Sequence, residues 1–443
     1  MNDRRAIAIG ASVATCLAGL DLALVSTAMP TVVAQLGGLE LYAWAFSAYL
    51  LSSTVAVPVY GKLADLYGRK RMFLIASGIF LVGSALCGAA QTMPQLIAFR
   101  LLQGFGGGGL YPITLTIVGD AFDLQPRARL LGLLAAVWGV SAVIGPAVGG
   151  FLTEQLSWRW AFLVQLPLAA LSMALMAAFL HEQLTPGPRR FDVLGMLLLG
   201  AAAAAILLGL QGVGSPIALV ALGLMLAVLF VVHERRTTDP LISPHLFANR
   251  AITIGSLSCL LVGVVLFGAE SFVPQMLQGV LGASPTAAGL TLSSMSLGWP
   301  IAANICGRLL GRWGFRTCGL LGALLLVVGF FAWRLVQPGT SLAAAAAIQV
   351  TLGAGFGFVS PVALLAMQNT VGWTERGVVT GLNQFATTLG GAIGVALAGA
   401  LFAASLHTGA PLETALAPVF WLFLLTSIVT VIVLALLPRG AAT

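Results

Sequence analysis

Residues 16–30 read CLAGLDLALVSTAMP, and the reading of this stretch decides the fold. From Ala6 to Leu39 there is no Lys, Arg or Glu, and the one Asp, Asp21, stands in the middle of the apolar run. A bilayer is crossed by about 20 apolar residues, and this run is longer. A charged side chain at the bilayer centre costs about 2.5–3.5 kcal/mol on insertion scales. Asp21 therefore belongs against protein or a water-filled cavity, not against lipid.

The rest of the chain has the same character. Of its 443 residues, 59% are hydrophobic and only 8% charged, with a mean hydropathy of +1.01. Soluble domains carry about 25% charged residues, so this chain has too few to cover a water-facing surface. The class is an all-α, multi-pass membrane protein, and an enzyme is not expected. The net charge of +7 does not point to nucleic acid, because the basic residues fall in short loops, where they set topology. The five cysteines lie at irregular spacing in apolar segments, so neither a metal site nor a disulfide pattern is expected. MNDRRAIAIG lacks the features of a cleaved signal peptide, and the first apolar run is read as helix 1.

Fourteen spans are expected, roughly at 6–34, 43–62, 72–91, 95–119, 128–153, 159–181, 192–211, 215–233, 251–279, 285–307, 316–336, 341–369, 377–405 and 415–437. Basic residues test the count. With Arg4 and Arg5 in the cytoplasm, the alternation places Lys62, Arg69 to Arg71, Arg127, Arg129, Arg189, Arg190, Arg235, Arg236, Arg250, Arg308, Arg312, Arg316, Arg376 and Arg439 on the same side. Of 21 Lys and Arg, Arg159 and Arg334 fall outside and Arg100 falls within a span. Both termini are thus expected in the cytoplasm.

An internal repeat organises these spans. GFGGGGLYP (104–112) matches GAGFGFVSP (353–361), and GPAVGG (145–150) matches GVALAG (394–399), at a shift near 249. GKLADLYGRKR (61–71) matches GRLLGRWGFRT (307–317) at a shift near 246. At 249, Asp21 falls on Glu270 and Arg100 on Gln349. The expected domains are a six-helix half over 1–184, a two-helix insert over 185–240, and a second six-helix half, in the same orientation, over 241–443. Two such halves enclose a central cavity.

Several motifs fit that plan. In GKLADLYGRKR, Gly61 and Gly68 allow tight turns, Asp65 suits the positive N-terminus of a neighbouring helix, and Arg69 can reach Asp120. In WGVSAVIGPAVGG (138–150), Gly145, Gly149 and Gly150 allow close helix approach, while Pro146 disturbs the backbone ladder. Gly104, Gly106 and Gly109 also satisfy a dinucleotide fingerprint, but they lie in a span with no strand before it, so that reading is rejected. No Walker lysine follows any glycine run.

These motifs resemble the major facilitator superfamily. GKLADLYGRKR is similar to its loop 2–3 signature. IAFRLLQGFGGGG (97–109) resembles its helix-4 signature at Arg100, Gln103 and Gly104. WGVSAVIGPAVGG resembles its helix-5 antiporter signature, and LDLALVSTAMP the helix-1 signature of the drug:proton antiporters with fourteen helices. Gly311 departs from the loop signature in the second half. The resemblance implies the major facilitator fold and alternating access in a bacterial inner (cytoplasmic) membrane. It implies gating roles for Gly61, Asp65, Gly68, Arg69, Asp120, Gly145, Pro146, Gly149 and Gly150.

Asp21, Arg100 and Glu270 are the ionisable residues within spans, and are read as the proton-coupling set. An ion pair of Asp21 with Arg100 that merely joins helices 1 and 4 is the structural alternative. Burial favours a neutral carboxyl and a nearby guanidinium a charged one. A gate that moves Arg100 or admits a cationic substrate then makes proton and substrate compete, the minimum for antiport. Tyr49, Gln103, Trp138, Gln275 and Asn383 are candidate substrate contacts. Gln278, Asn304, Gln349, Gln368, Asn369, Gln384, Phe356 and Phe385 are further polar or aromatic candidates. The expected activity is proton-coupled efflux of hydrophobic, cationic drugs or toxic compounds by a monomer in contact with membrane lipids, with no cofactor beyond the proton. A dedicated exporter of a lipid or natural product is the alternative; a channel, a receptor or a symporter fits less well.

Overall fold

Every described regular element is helical, as the apolar runs require once backbone groups must be satisfied within the bilayer. In this computed structural model the structure describes residues 3–122, 124–182, 192–237, 240–241, 244–372 and 376–438. Arg189, Arg190, Arg439 and the expected boundary between 184 and 185 lie outside the described residues. The chain runs through α1 (Asp3–Leu36), α2 (Tyr42–Tyr67), α3 (Arg69–Ala89), α4 (Met93–Ala121), α5 (Leu124–Gln155), α6 (Trp160–Leu163) and α7 (Gln165–Phe179). Then come α8 (Val193–Leu210), α9 (Pro216–Glu234), α10 (Arg250–Gln275), α11 (Pro285–Ser293), α12 (Met295–Arg334), α13 (Leu342–Gln368), α14 (Arg376–His407) and α15 (Leu412–Ala435).

Local chemistry sets the helix ends. Thr92 accepts from the Gln95 amide at the start of α4, and Ser341 accepts from the Ala344 amide at the start of α13. Asp192 caps α8 through the Gly195 amide at 2.9 Å and also bonds the His233 ring at 2.7 Å. Gly68 turns the chain between α2 and α3 at φ 95°, and Gly314 breaks α12 at φ 73°. Both conformations favour glycine, and the two residues occupy matching places in the repeated loop GKLADLYGRKR and GRLLGRWGFRT.

Among the described residues, 12 helical stretches are long and apolar enough to cross a membrane, by length and composition. The sequence expectation is fourteen. One of the 12, Pro285–Arg334, runs for 50 residues and contains the turn at Gly314. The 29-residue α4, with Arg100, Gln103 and its glycine run, is not among them.

Helix packing follows one pattern twice. α1 packs on α5 and α7, α2 on α4, and α3 on α4 and α7; α10 packs on α14 and α15, and α12 on α13 and α15. Gly104 and Gly108 of α4 seat against Tyr49 and Ser53 of α2, and Gly106 against Ala76 and Phe80 of α3. In α13, Gly353 and Gly357 seat against Met295 and Trp299 of α12, and Gly355 against Gly322 and Leu326. The glycines let the backbones approach closely, which is how helices associate where lipid removes the hydrophobic drive.

The two sets of helices meet through α1 with α10, α5 with α11 and α2 with α14. Their tight contacts gather at the end far from the α1 N-terminus. There Gln278 donates to the Thr27 carbonyl at 2.9 Å, and Glu154 accepts from the Thr286 amide at 3.0 Å. Tyr42 donates to the Ser271 carbonyl, and its ring packs on Phe272 and Phe402. Toward the other end, Gly61, Gly139 and Gly381 face open space. The α8–α9 hairpin lies outside, with α8 packed on both α2 and α14.

A side chain at Gly150 has no room, since its Cβ would fall 2.1 Å from the Pro285 carbonyl oxygen. Overpacking of this kind costs roughly 1–3 kcal/mol. Gly150→Ala is expected to lengthen spin-label distances between the far ends of α5 and α11. An unchanged distance distribution would contradict this closure.

Candidate functional site

Asp21 and Arg100 are fully buried and form an ion pair at 3.0 Å. The guanidinium is held from several sides. Its Nη1 also donates to Gln103 Oε1 at 2.6 Å, and its Nε donates to the Ala45 carbonyl at 3.1 Å. It lies 4.1 Å over the Tyr49 ring, a cation–π contact. Gln103 completes the set: its Nε2 donates to Asp21 Oδ1 at 2.8 Å and to Ser84 Oγ at 2.9 Å. Cys87 Sγ donates to Gln103 Oε1 at 3.6 Å. The network therefore draws on α1, α2, α3 and α4. Arg100 is sealed inside it and does not reach toward the membrane surface. Gln103, a candidate substrate contact by sequence, bridges the ion pair with its amide group and has no exposed surface.

The central cavity is separate from that pair. It has a volume of about 180 Å³ and is walled by both sets of helices. Its aromatic lining comprises Tyr49, Tyr111, Trp138, Phe267 and Trp299. Tyr111 and Trp138 pack with ring centroids 4.8 Å apart. Phe356 lies behind the wall, stacked on Trp299 at 5.4 Å. Polar groups are few: Ser26, Ser53, Ser296, Gln349, Gln384 and Thr388, with Glu270 as the single ionisable carboxylate. Among the described residues no cation pairs with Glu270. Tyr49 is the partition, with its ring meeting Arg100 and also lining the cavity.

This geometry corrects the pairing of Asp21 with Glu270. Leu22, Ser26 and Pro30 of α1 stand at one constant spacing from Leu266, Glu270 and Pro274 of α10. Leu22, Ser26, Leu266 and Glu270 all line the cavity. Glu270 is thus the counterpart of Ser26, about five residues out of register with Asp21, or roughly 140° of helix rotation. The partner position of Asp21 is Val265, fully buried.

Other expected site residues are spread over several places. Tyr49 and Trp138 line the cavity, as do Gln349 and Gln384. Asn383 does not; its amide donates to Cys259 Sγ at 2.8 Å, joining α14 to α10. Gln275 is buried, away from the lining residues, with Oε1 lacking a partner. In the loop, Arg69 pairs with Asp120 and lies 3.6 Å from Asp65. Glu182 holds the N-terminus of α3, accepting from the Arg69 and Lys70 amides at 2.8 and 3.0 Å. Gly61 faces open space and Gly68 makes the turn. Gly145 and Gly149 seat against Ala23 and Leu24 of α1, within one set of helices, whereas Gly150 and the Pro146 backbone meet α11. Gly150 and Pro146 thus lie where the two sets of helices meet, and Gly145 and Gly149 do not.

Tyr111, Phe267 and Trp299 escaped the sequence reading. A signal for Trp299 existed: it matches Ser53 in the repeat, and both line the cavity.

Removing one partner of a buried ion pair costs about 3–5 kcal/mol, whereas replacing both by apolar groups is often neutral. Asp21→Leu alone is therefore expected to lower the melting temperature in detergent sharply, and Asp21→Leu with Arg100→Leu to recover most of it. A double variant no more stable than the single one would show that the pair is not the structural tie described.

The family model for the Major Facilitator Superfamily matches residues 11–395. The Multidrug transporter protein MdtP of Bacillus subtilis (strain 168) is 35% identical over 408 residues, 90% of this chain and 75% of that protein. Multidrug resistance protein 3 of the same organism is 33% identical over 401 residues, 89% of this chain and 78% of that protein. The crystal structure of a D-xylose-proton symporter superposes with a TM-score of 0.71 at 16% identity, covering 99% of this chain and 98% of that one, which establishes the fold. The chain belongs to the Major Facilitator Superfamily and is a multi-pass membrane transporter, not an enzyme.

Proposed function

We propose that this transporter expels hydrophobic cations in exchange for protons, by alternating access. One observation carries the reading: among the described residues Glu270 has no counter-ion, and it lies in an aromatic cavity shared by both sets of helices. A carboxylate in low-polarity surroundings is costly unless neutralised. It takes either a proton or a cation, and the two then compete for one site. The aromatic walls suit a flat or lipophilic cation. Asp21 cannot serve as a second cavity carboxylate in this conformation, because Tyr49 and its pairing with Arg100 separate it from the substrate space. In this reading Asp21, Arg100 and Gln103 hold the first half rigid. The names of the B. subtilis relatives support export of several drugs rather than one dedicated product.

The same reading extends to architecture. Fourteen passes are supported by the turn at Gly314, which divides the 50-residue stretch, and by the length of α4. At about 1.5 Å per residue, 29 residues exceed the bilayer core. The repeated packing supports two six-helix halves, α1–α7 and α10–α15, with α8 and α9 as an insert near 185–240. The loop arginines favour cytoplasmic termini in a bacterial inner membrane. The far-end contacts then close the outside, leaving the cavity directed inward. The seam at Pro146 and Gly150 is the part that separates or closes as the halves rock, while Arg69 with Asp120 ties α3 to α4 within the first half.

Proton release on addition of tetraphenylphosphonium is measured with the purified protein, using a pH dye. Wild type is expected to release protons, and Glu270→Gln to lose the release. Full release in a folded Glu270→Gln would sink this assignment.

A further inference from the structure

The halves meet along two lateral seams, α5 with α11 and α2 with α14. Both seams are tight at the far end, where Gly150 seats against Pro285 and Gly399 against Ala43. Away from that end no atom meets a Cβ at Gly139, at mid-length of α5, at Gly61 of α2 or at Gly381 of α14, and α5 makes a smaller contact with α12. In a bilayer, a gap between halves opens toward lipid unless another element covers it.

The α8–α9 hairpin covers one of the two gaps. Besides α9, α8 packs on α2 and α14 together, so it straddles the seam rather than belonging to either half. Gly200 is the point of close approach; its Cβ would lie 3.1 Å from Val55 of α2. α8 carries no charged residue, and α9 exposes Leu224, Val228 and Val231. Such a pair suits a wall that faces lipid on its outer side. α5 bounds the other seam and itself exposes Leu133, Val140, Ile144 and Phe151 along one face. Its other face carries Trp138 and Ala142 into the cavity.

We propose that the hairpin seals the α2–α14 seam against lipid, so that a lipophilic compound dissolved in the bilayer reaches the cavity only past α5. The word substrate here rests on the export reading; the one-sided access does not. Two consequences follow from the geometry. The Tyr111–Trp138 ring pair becomes the first aromatic surface that an arriving compound meets. The insert acquires a task in access although none of its described residues lines the cavity.

The test uses the full-length protein in vesicles of phosphatidylcholine carrying a diazirine at mid-chain. After illumination, labelled residues are mapped by mass spectrometry. Among cavity-lining positions, label is expected on Trp138 and Ala142 and not on Val57 or Gln384. In Gly200→Trp, which displaces α8 from Val55, that asymmetry is expected to be lost as Val57 and Gln384 acquire label. Equal labelling of the two sides in the wild type overturns the proposal. So does an asymmetry that persists in a folded Gly200→Trp protein. Labelling needs neither substrate nor proton gradient, so it is decided separately from Glu270 and the export reading.

Discussion

The buried pair of Asp21 and Arg100 is the constraint on which the first half of the molecule depends. Neither residue retains any exposed surface, and each alone in a low-dielectric interior would carry a desolvation cost of several kcal/mol. Together, with Gln103, Ser84 and the Ala45 carbonyl, they compensate much of that cost, although Arg100 Nη2 is buried without a hydrogen-bond partner. The geometry draws in four helices, because the carboxylate sits on α1, the guanidinium on α4, and their partners on α2 and α3. A change at any one of these positions leaves a buried polar group without its partner. That is a strong reason for the four helices to move as a unit.

Among the described residues the second set of helices shows no such buried pair. Val265 stands where Asp21 would be, and Gln349 where Arg100 would be. Its helices are joined by close glycine packing, as between α13 and α12 and between α14 and α10. An ionisable group is then free to sit elsewhere on α10, and Glu270 takes the position facing the cavity. In the proposed function this asymmetry divides the work: Asp21, paired with Arg100, serves structure, and Glu270, in the cavity lining, serves chemistry. Tyr49 links the two, with a cation against one side of its ring and the cavity beside it.

Much of this was legible in the sequence. The apolar runs, the repeated GKLADLYGRKR loop and the glycine runs of α4 and α13 placed the helices and their order. The proximity of Asp21 to Arg100 followed from the cost of leaving either alone. The rotational phase of α1 against α10 was not legible, because both helices are apolar on nearly every side. The prolines at 30 and 274 hold the phase, but a shift taken from α4 and α13 does not carry across loops of different length. The partners of Gln103 were not legible for a related reason. A buried glutamine that bridges an ion pair and one that meets a ligand look the same in sequence, and only partner geometry separates them. The cavity aromatics come from five different helices, so no local spacing groups them.

The central claim is that Glu270, not Asp21, is the carboxyl that exchanges a proton when a cation binds. Infrared difference spectroscopy of the purified protein on addition of tetraphenylphosphonium tests it most directly. The account predicts loss of a protonated-carboxyl band in the wild type and in the Asp21→Leu, Arg100→Leu double variant, and no such band in Glu270→Gln. A band that survives in Glu270→Gln and vanishes in the double variant would contradict it.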